Sequence, residues 1–167
     1  MNIILKKIGW SEREVVFKLF KEAAEKIARK NINHWQHWHN PSDEDIAWAE
    51  EGIINEEFFF IEAMGEIIGM VRILEADELY WGKSAVEALY IHSLVVVEKY
   101  EGRGIGGLIL QKIAANAKLI GKKYMRLDAS TDNPKLCKYY ENLGFILTGT
   151  TTISSSSFNL YQKAIES

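Results

Sequence analysis

Residues 101–107 read Glu-Gly-Arg-Gly-Ile-Gly-Gly, and Gly102, Gly104 and Gly107 have the spacing G-x-G-x-x-G. Glycine lets a backbone approach a ligand closely. The helix expected from Gly104 offers unpaired N–H groups and the positive end of its dipole. Together these bind phosphate. A nicotinamide dinucleotide would need its first glycine directly behind a strand, further βα units after the loop, and an acid about 20 residues on. Asp128 meets the last demand. The others fail: Glu98-Lys99-Tyr100-Glu101 separates Val97 from Gly102, and only about 60 residues follow the loop. A P-loop is excluded, because no Gly-Lys-Ser/Thr follows. A second stretch with chemical potential is His34-Trp35-Gln36-His37-Trp38-His39. Its histidines invite a metal ion, but no carboxylate or cysteine stands at a ligand spacing beside them, so no metal is expected.

The elements around these groups read as one domain. The chain has 167 residues, of which 47% are hydrophobic and 26% charged, the balance of a soluble globular protein. Its net charge of −3 argues against nucleic acid as a partner. Cys137 is the only cysteine, so no internal disulfide can form. The start MNIILKKIGW lacks the apolar run of a signal peptide, and no stretch approaches the roughly 18 apolar residues of a membrane helix. A cytoplasmic protein without a membrane partner is expected.

Asn2–Lys7 reads as a strand. Ser11-x-x-Glu14 reads as a capping box, stapled by Trp10 and Val15, before a helix to about Lys30. Pro41-Ser42 opens a second helix ending near Asn55. Glu57–Ala63 and Ile67–Glu75 form a hairpin about Gly65-Glu66. Ala88–Val97, rich in branched residues, is the strongest strand. Gly104–Ile120 is an amphipathic helix with Ile105, Leu108, Ile109, Ile113, Ala117 and Ile120 inward, stopped by Gly121. Tyr124–Ala129 is a strand, Pro134–Leu143 a helix ended by Gly144, and Phe145–Thr150 and Phe158–Lys163 are closing strands. The order β-α-α-β-β-β-α-β-α-β-β implies an α/β (α+β) domain with a mixed sheet.

A second motif narrows the choice of phosphate. Asn133 to Phe145 has the form N-x-x-x-x-x-x-Y-E-x-x-G-F, with Tyr140, Glu141, Gly144 and Phe145 in place. With Leu94-x-Val96 and the glycine loop ahead of its helix, the chain resembles the GNAT superfamily of acetyl-CoA-dependent N-acetyltransferases. The resemblance is close over residues 88–146.

It implies a single GNAT-like domain over residues 1–167. In that fold the mixed, twisted sheet has a splayed, bulged central strand and helices on both faces. It implies acetyl-CoA as acetyl donor, an amine acceptor and direct attack in a ternary complex. The backbone of Leu94, Val95 and Val96 would pair with the pantetheine arm. The backbone from Gly102 through Arg103, Gly104, Ile105 and Gly106 to Gly107 would carry the pyrophosphate. Asn133 matches the family asparagine that contacts the cofactor. Tyr140 matches the tyrosine that protonates the departing thiolate, a role that suits a neutral phenol.

Family bases vary. His92 lies two residues before Leu94, on the same strand face, and arylalkylamine acetyltransferases have a histidine at the matching position. Tyr90, Glu87 and Asp128 are weaker candidates. Trp35, Trp38 and Tyr90 would help wall the acceptor pocket, with Trp81 a further wall residue. Dimers are common in the family, so a homodimer is a further expectation. One departure stands out: Glu101 holds a position where the family usually has Gln or Arg. A carboxylate beside a pyrophosphate costs energy unless it points away or pairs. The open alternatives are a non-catalytic acyl-CoA-binding module and, remotely, a nicotinamide oxidoreductase.

Overall fold

The computed structural model describes residues 1–32 and 34–166. The chain runs β1 (Ile4–Lys7), α1 (Arg13–Arg29), α2 (Asp43–Ile54), β2 (Phe58–Ala63), β3 (Glu66–Leu74), α3 (Glu78–Trp81), β4 (Ala88–Val96), α4 (Ile105–Leu119), β5 (Tyr124–Ser130), α5 (Pro134–Asn142), β6 (Ile146–Ile153) and β7 (Ser156–Ala164). The strands form one open, mixed sheet in the order β1-β2-β3-β4-β5-β7-β6. β4 and β5 pair in parallel, while β1–β2, β2–β3, β5–β7 and β6–β7 pair antiparallel. The expected element order holds, with α3 added. No described helix is long and apolar enough to cross a membrane. Two compact units share the chain, Met1–Arg72 with Ser93–Ile109 and Ile73–His92 with Leu110–Ser167.

In the first unit, α1 buries Val16, Leu19, Phe20, Ala23 and Ala24, the stripe its 3.6-residue period lays on one face. That stripe packs in a cluster with Ala49 and Ile53 of α2 and Phe58, Phe60 and Met70 of the β2–β3 hairpin. The helix begins differently from the sequence expectation. A 3-10 turn over Trp10–Glu12 precedes it, and the Gly9 N–H donates to Glu12 Oε1 at 3.0 Å. The reciprocal cap therefore lies ahead of Ser11–Glu14, and Trp10 and Val15 are exposed rather than stapled. Met64 and Gly65 turn the hairpin with φ of 53° and 76°, the left-handed pair of a tight β-turn. Gly69 on β3 decides how close β4 can come. A Cβ there would lie 2.0 Å from the Val95 carbonyl oxygen, so only glycine fits.

In the second unit, β4 pairs with β5 through Ala88–Tyr124, Leu89–Met125 and Tyr90–Arg126. Beyond Tyr90 that ladder stops, and Ser93 adopts φ of 53°. A non-glycine residue in the left-handed region inside a strand marks a bulge that releases backbone groups from the ladder. Asn133 caps α5 by accepting the Leu136 N–H on Oδ1 at 3.2 Å, and Pro134 occupies its first turn. On α4, Ile109, Ile113 and Ala117 are buried as expected, but Leu108 and Ile120 are exposed and Leu110 is buried instead. Helix α4 ends at Leu119, which leaves Ile120 beyond its inward stripe.

Candidate functional site

The second unit gathers a buried Asp-His-Asp group. Asp77 stands at the N-cap of α3, where its Oδ1 accepts the Tyr80 N–H at 3.3 Å. Its Oδ2 lies 2.7 Å from His92 Nε2. This hydrogen bond holds the Nε2 edge of the ring against Asp77. The other edge turns to β5, with His92 Nδ1 3.6 Å from Asp128 Oδ2. Side-chain exposure is 16% for His92, 7% for Asp77 and 11% for Asp128. Asp128 Oδ2 is buried with no hydrogen-bond partner. Burial pushes the Asp128 carboxyl up to about 6; His92 opposes the rise and Asp77 adds to it. The Tyr80 ring lies 5.3 Å from the His92 ring, and burial, then Asp128 and Asp77, push its phenol up to about 12.

Around this group the unit places the other candidates. Tyr90 is buried, and its hydroxyl accepts from Arg126 Nη1 at 3.0 Å. Arg126 itself lies 4.4 Å from the Trp81 ring centre and donates from Nε to Gln162 at 2.7 Å. Tyr140 is 8% exposed, with its ring 5.8 Å from Phe145. Burial, followed by Tyr139 and Asp128, raises its phenol well above the usual range, so it stays a neutral donor. Asp77 is the member that sequence reasoning missed. The signal present was Asp77-Glu-Leu-Tyr80, a short N-cap pattern that nothing local ties to His92.

The first unit holds the glycine loop. Gly102 and Gly104 have φ of 73° and 72°, and a Cβ on either would meet nothing within 4 Å. Their Cβ side is therefore open, just ahead of α4. The helix α1 and the end of β4 line a cavity of ≈ 130 Å³, with Lys26, Val95, Val96 and Val97 in its wall. Lys26 Nζ donates to the Val96 carbonyl at 3.0 Å. Glu101 pairs: its Oε1 lies 2.7 Å from Lys30 Nζ and 3.8 Å from Lys26 Nζ. The Lys30 hydrogen bond holds the Glu101 carboxyl below its ordinary range. Two lysines of α1 thus supply the neutralisation that a carboxylate at this loop requires. Arg103 lies 5.5 Å from the Tyr100 ring centre.

Trp38 is 5% exposed and stacks on Phe20 at 4.1 Å, inside the core of this unit. Trp35 meets the same phenylalanine edge-on at 5.6 Å. Both rings thus pack into this core rather than standing open to solvent.

Residues 17–145 match the family model described as Acetyltransferase (GNAT) family. The chain belongs to the GNAT acetyltransferase family. A relative from Bacillus subtilis (strain 168), named Uncharacterized N-acetyltransferase YesJ, is 26% identical over 161 residues, covering 93% of this chain and 87% of the relative. Among solved GNAT structures, an acetyltransferase from Listeria monocytogenes 4b F2365 superposes with a TM-score of 0.78 at 20% identity, over 97% of this chain and 94% of that one. The aminoglycoside acetyltransferase AAC(6')-Ib, solved with coenzyme A and kanamycin, superposes with a TM-score of 0.74 at 15% identity, over 98% and 95% of the two chains. At such identities these two structures establish the GNAT fold.

Proposed function

We propose that the protein is an N-acetyltransferase that moves an acetyl group from acetyl-CoA to a primary amine of a small molecule or peptide, by direct attack in a ternary complex. The observation that carries this reading is the open left-handed backbone at Gly102 and Gly104 ahead of α4, within a chain matched to the family over residues 17–145. The open Cβ side of Gly102 and Gly104 and the pairing of Glu101 with two lysines support a cofactor pyrophosphate on the backbone from Gly102 to Gly107. Bound there, acetyl-CoA supplies an activated thioester. The backbone of Leu94, Val95 and Val96, past the bulge at Ser93, orients the pantetheine arm and polarises the carbonyl. Asn133 contacts the cofactor in addition to capping α5. On the acceptor side, the group around His92 handles the proton of the amine, and Tyr90 helps shape the pocket. Tyr140, neutral and buried, gives its proton to the thiolate.

Thiol release from acetyl-CoA across a panel of amines tests the reading. Turnover of at least one amine is expected, whereas tight acetyl-CoA binding without turnover of any would identify a binding module. Tyr140→Phe is expected to lower kcat by about 10²-fold or more, the scale of a lost general acid. Full activity in that variant would remove Tyr140 from the assignment.

A further inference from the structure

We propose that Asp128 is the catalytic group that takes the proton of the acceptor amine, and that His92 and Asp77 are positioning residues behind it. The inference rests on the acetyl-transfer reading and assigns its proton acceptor. The geometry of His92 drives it. Nε2 is hydrogen-bonded to Asp77 Oδ2 at 2.7 Å, and Asp77 is in turn held by the Tyr80 N–H. Nδ1, on the other edge, lies 3.6 Å from Asp128 Oδ2. Both ring nitrogens therefore face carboxylates. An amine that reached Nδ1 would first have to displace Asp128. Asp128 Oδ2, by contrast, is a buried acceptor with no hydrogen-bond partner, and an ammonium group is a donor that would satisfy it.

Electrostatics supports the assignment. The groups facing Asp128 are His92 from β4, Asp77 and Tyr80 from α3 and its cap, and Tyr140 from α5; β7 places Leu160 opposite it. Burial brings the Asp128 carboxyl to about 6, close to working pH, where a base is most effective. His92 opposes that rise and keeps the carboxylate available at neutral pH.

The proton path balances. An N–H bond of the acceptor ammonium breaks, an O–H bond forms on Asp128 Oδ2, and this proton leaves to solvent. The freed lone pair forms the C–N bond and the C–S bond breaks. The thiolate takes the Tyr140 proton, and the second nitrogen proton restores the phenol.

The test uses the full chain with the amine found by thiol release. Asp128→Asn is expected to lose at least 100-fold in kcat/KM, and Asp128→Glu to recover at least tenfold of that. His92→Gln is expected to lose about tenfold and to move the acid limb of the pH profile upward, because a group that holds the Asp128 pKa down has gone. Asp128→Asn within threefold of wild type, or His92→Gln losing as much as Asp128→Asn, would overturn the proposal. A readout independent of turnover is the ¹³C shift of the Asp128 carboxyl against pH. A midpoint near 6 that rises in His92→Gln is expected, and one at or below about 4, the ordinary aspartate value, would overturn it. Should no amine be turned over while Asp128 titrates near 6, the acetyl-transfer reading fails and the Asp128–His92 coupling stands.

Discussion

Asp128 carries a stability cost with a definite sign. An aspartate in an unfolded chain titrates near 3.9, whereas burial brings this one to about 6 when folded. Between those values the folded state holds a proton that the unfolded state has lost. Stability therefore falls as pH rises from about 4 to about 6, and the full cost is present above that. Asp128→Asn keeps the shape and removes the charge. It is expected to be more stable than wild type by about 1–2 kcal/mol at pH 8, with the gain gone near pH 4. Urea denaturation at a series of pH values measures this. A variant less stable at pH 8 would mean that contacts of the carboxylate outweigh its desolvation. A residue that destabilises the fold while serving its chemistry is a common trade at working sites. Glu101 shows the opposite case: its charge is met by Lys30 and Lys26, so the unusual acid of the loop is a paired one.

Among the elements, β4 has the most demanding position. Its first half is held by β5 through three residue pairs; its second half lies against β3 at Gly69. Gly69→Ala would push a methyl group to 2.0 Å from the Val95 carbonyl oxygen, a contact that only separation of the strands relieves. A loss of about 2–3 kcal/mol is expected, the upper range for overpacking, read as a lower urea midpoint. Acetyl-CoA binding should weaken in the same variant, because Val95 and Val96 lie at that point. A variant of wild-type stability would show that β3 and β4 have slack there. The bulge at Ser93 was not legible in the sequence at its own position. Ile91-His-Ser-Leu94 has ordinary strand composition, and the expectation of a bulge came from the resemblance alone. The short α3 escaped for a related reason: four residues carry no helical period.

At the scale of the whole molecule, a ligand that binds only the folded chain raises its stability by mass action. Acetyl-CoA at about 100 times its Kd should add roughly 2.7 kcal/mol, seen as a higher Tm, while NADH should leave Tm unchanged. The reverse result would restore the dinucleotide reading of the glycine loop. The sequence by itself determined the order of strands and longer helices, the mixed sheet, the glycine loop ahead of α4 and the cap of α5. Those features are written in hydrophobic period, capping residues and turn glycines, which act over a few neighbouring residues. Only the tertiary structure decided what surrounds His92 and Glu101. Asp77 reaches His92 from 15 positions away, Asp128 comes from another strand, and Lys30 meets Glu101 across 71 positions. Proton affinity and charge neutralisation depend on burial and on neighbours in space, and a linear pattern of residue types records neither.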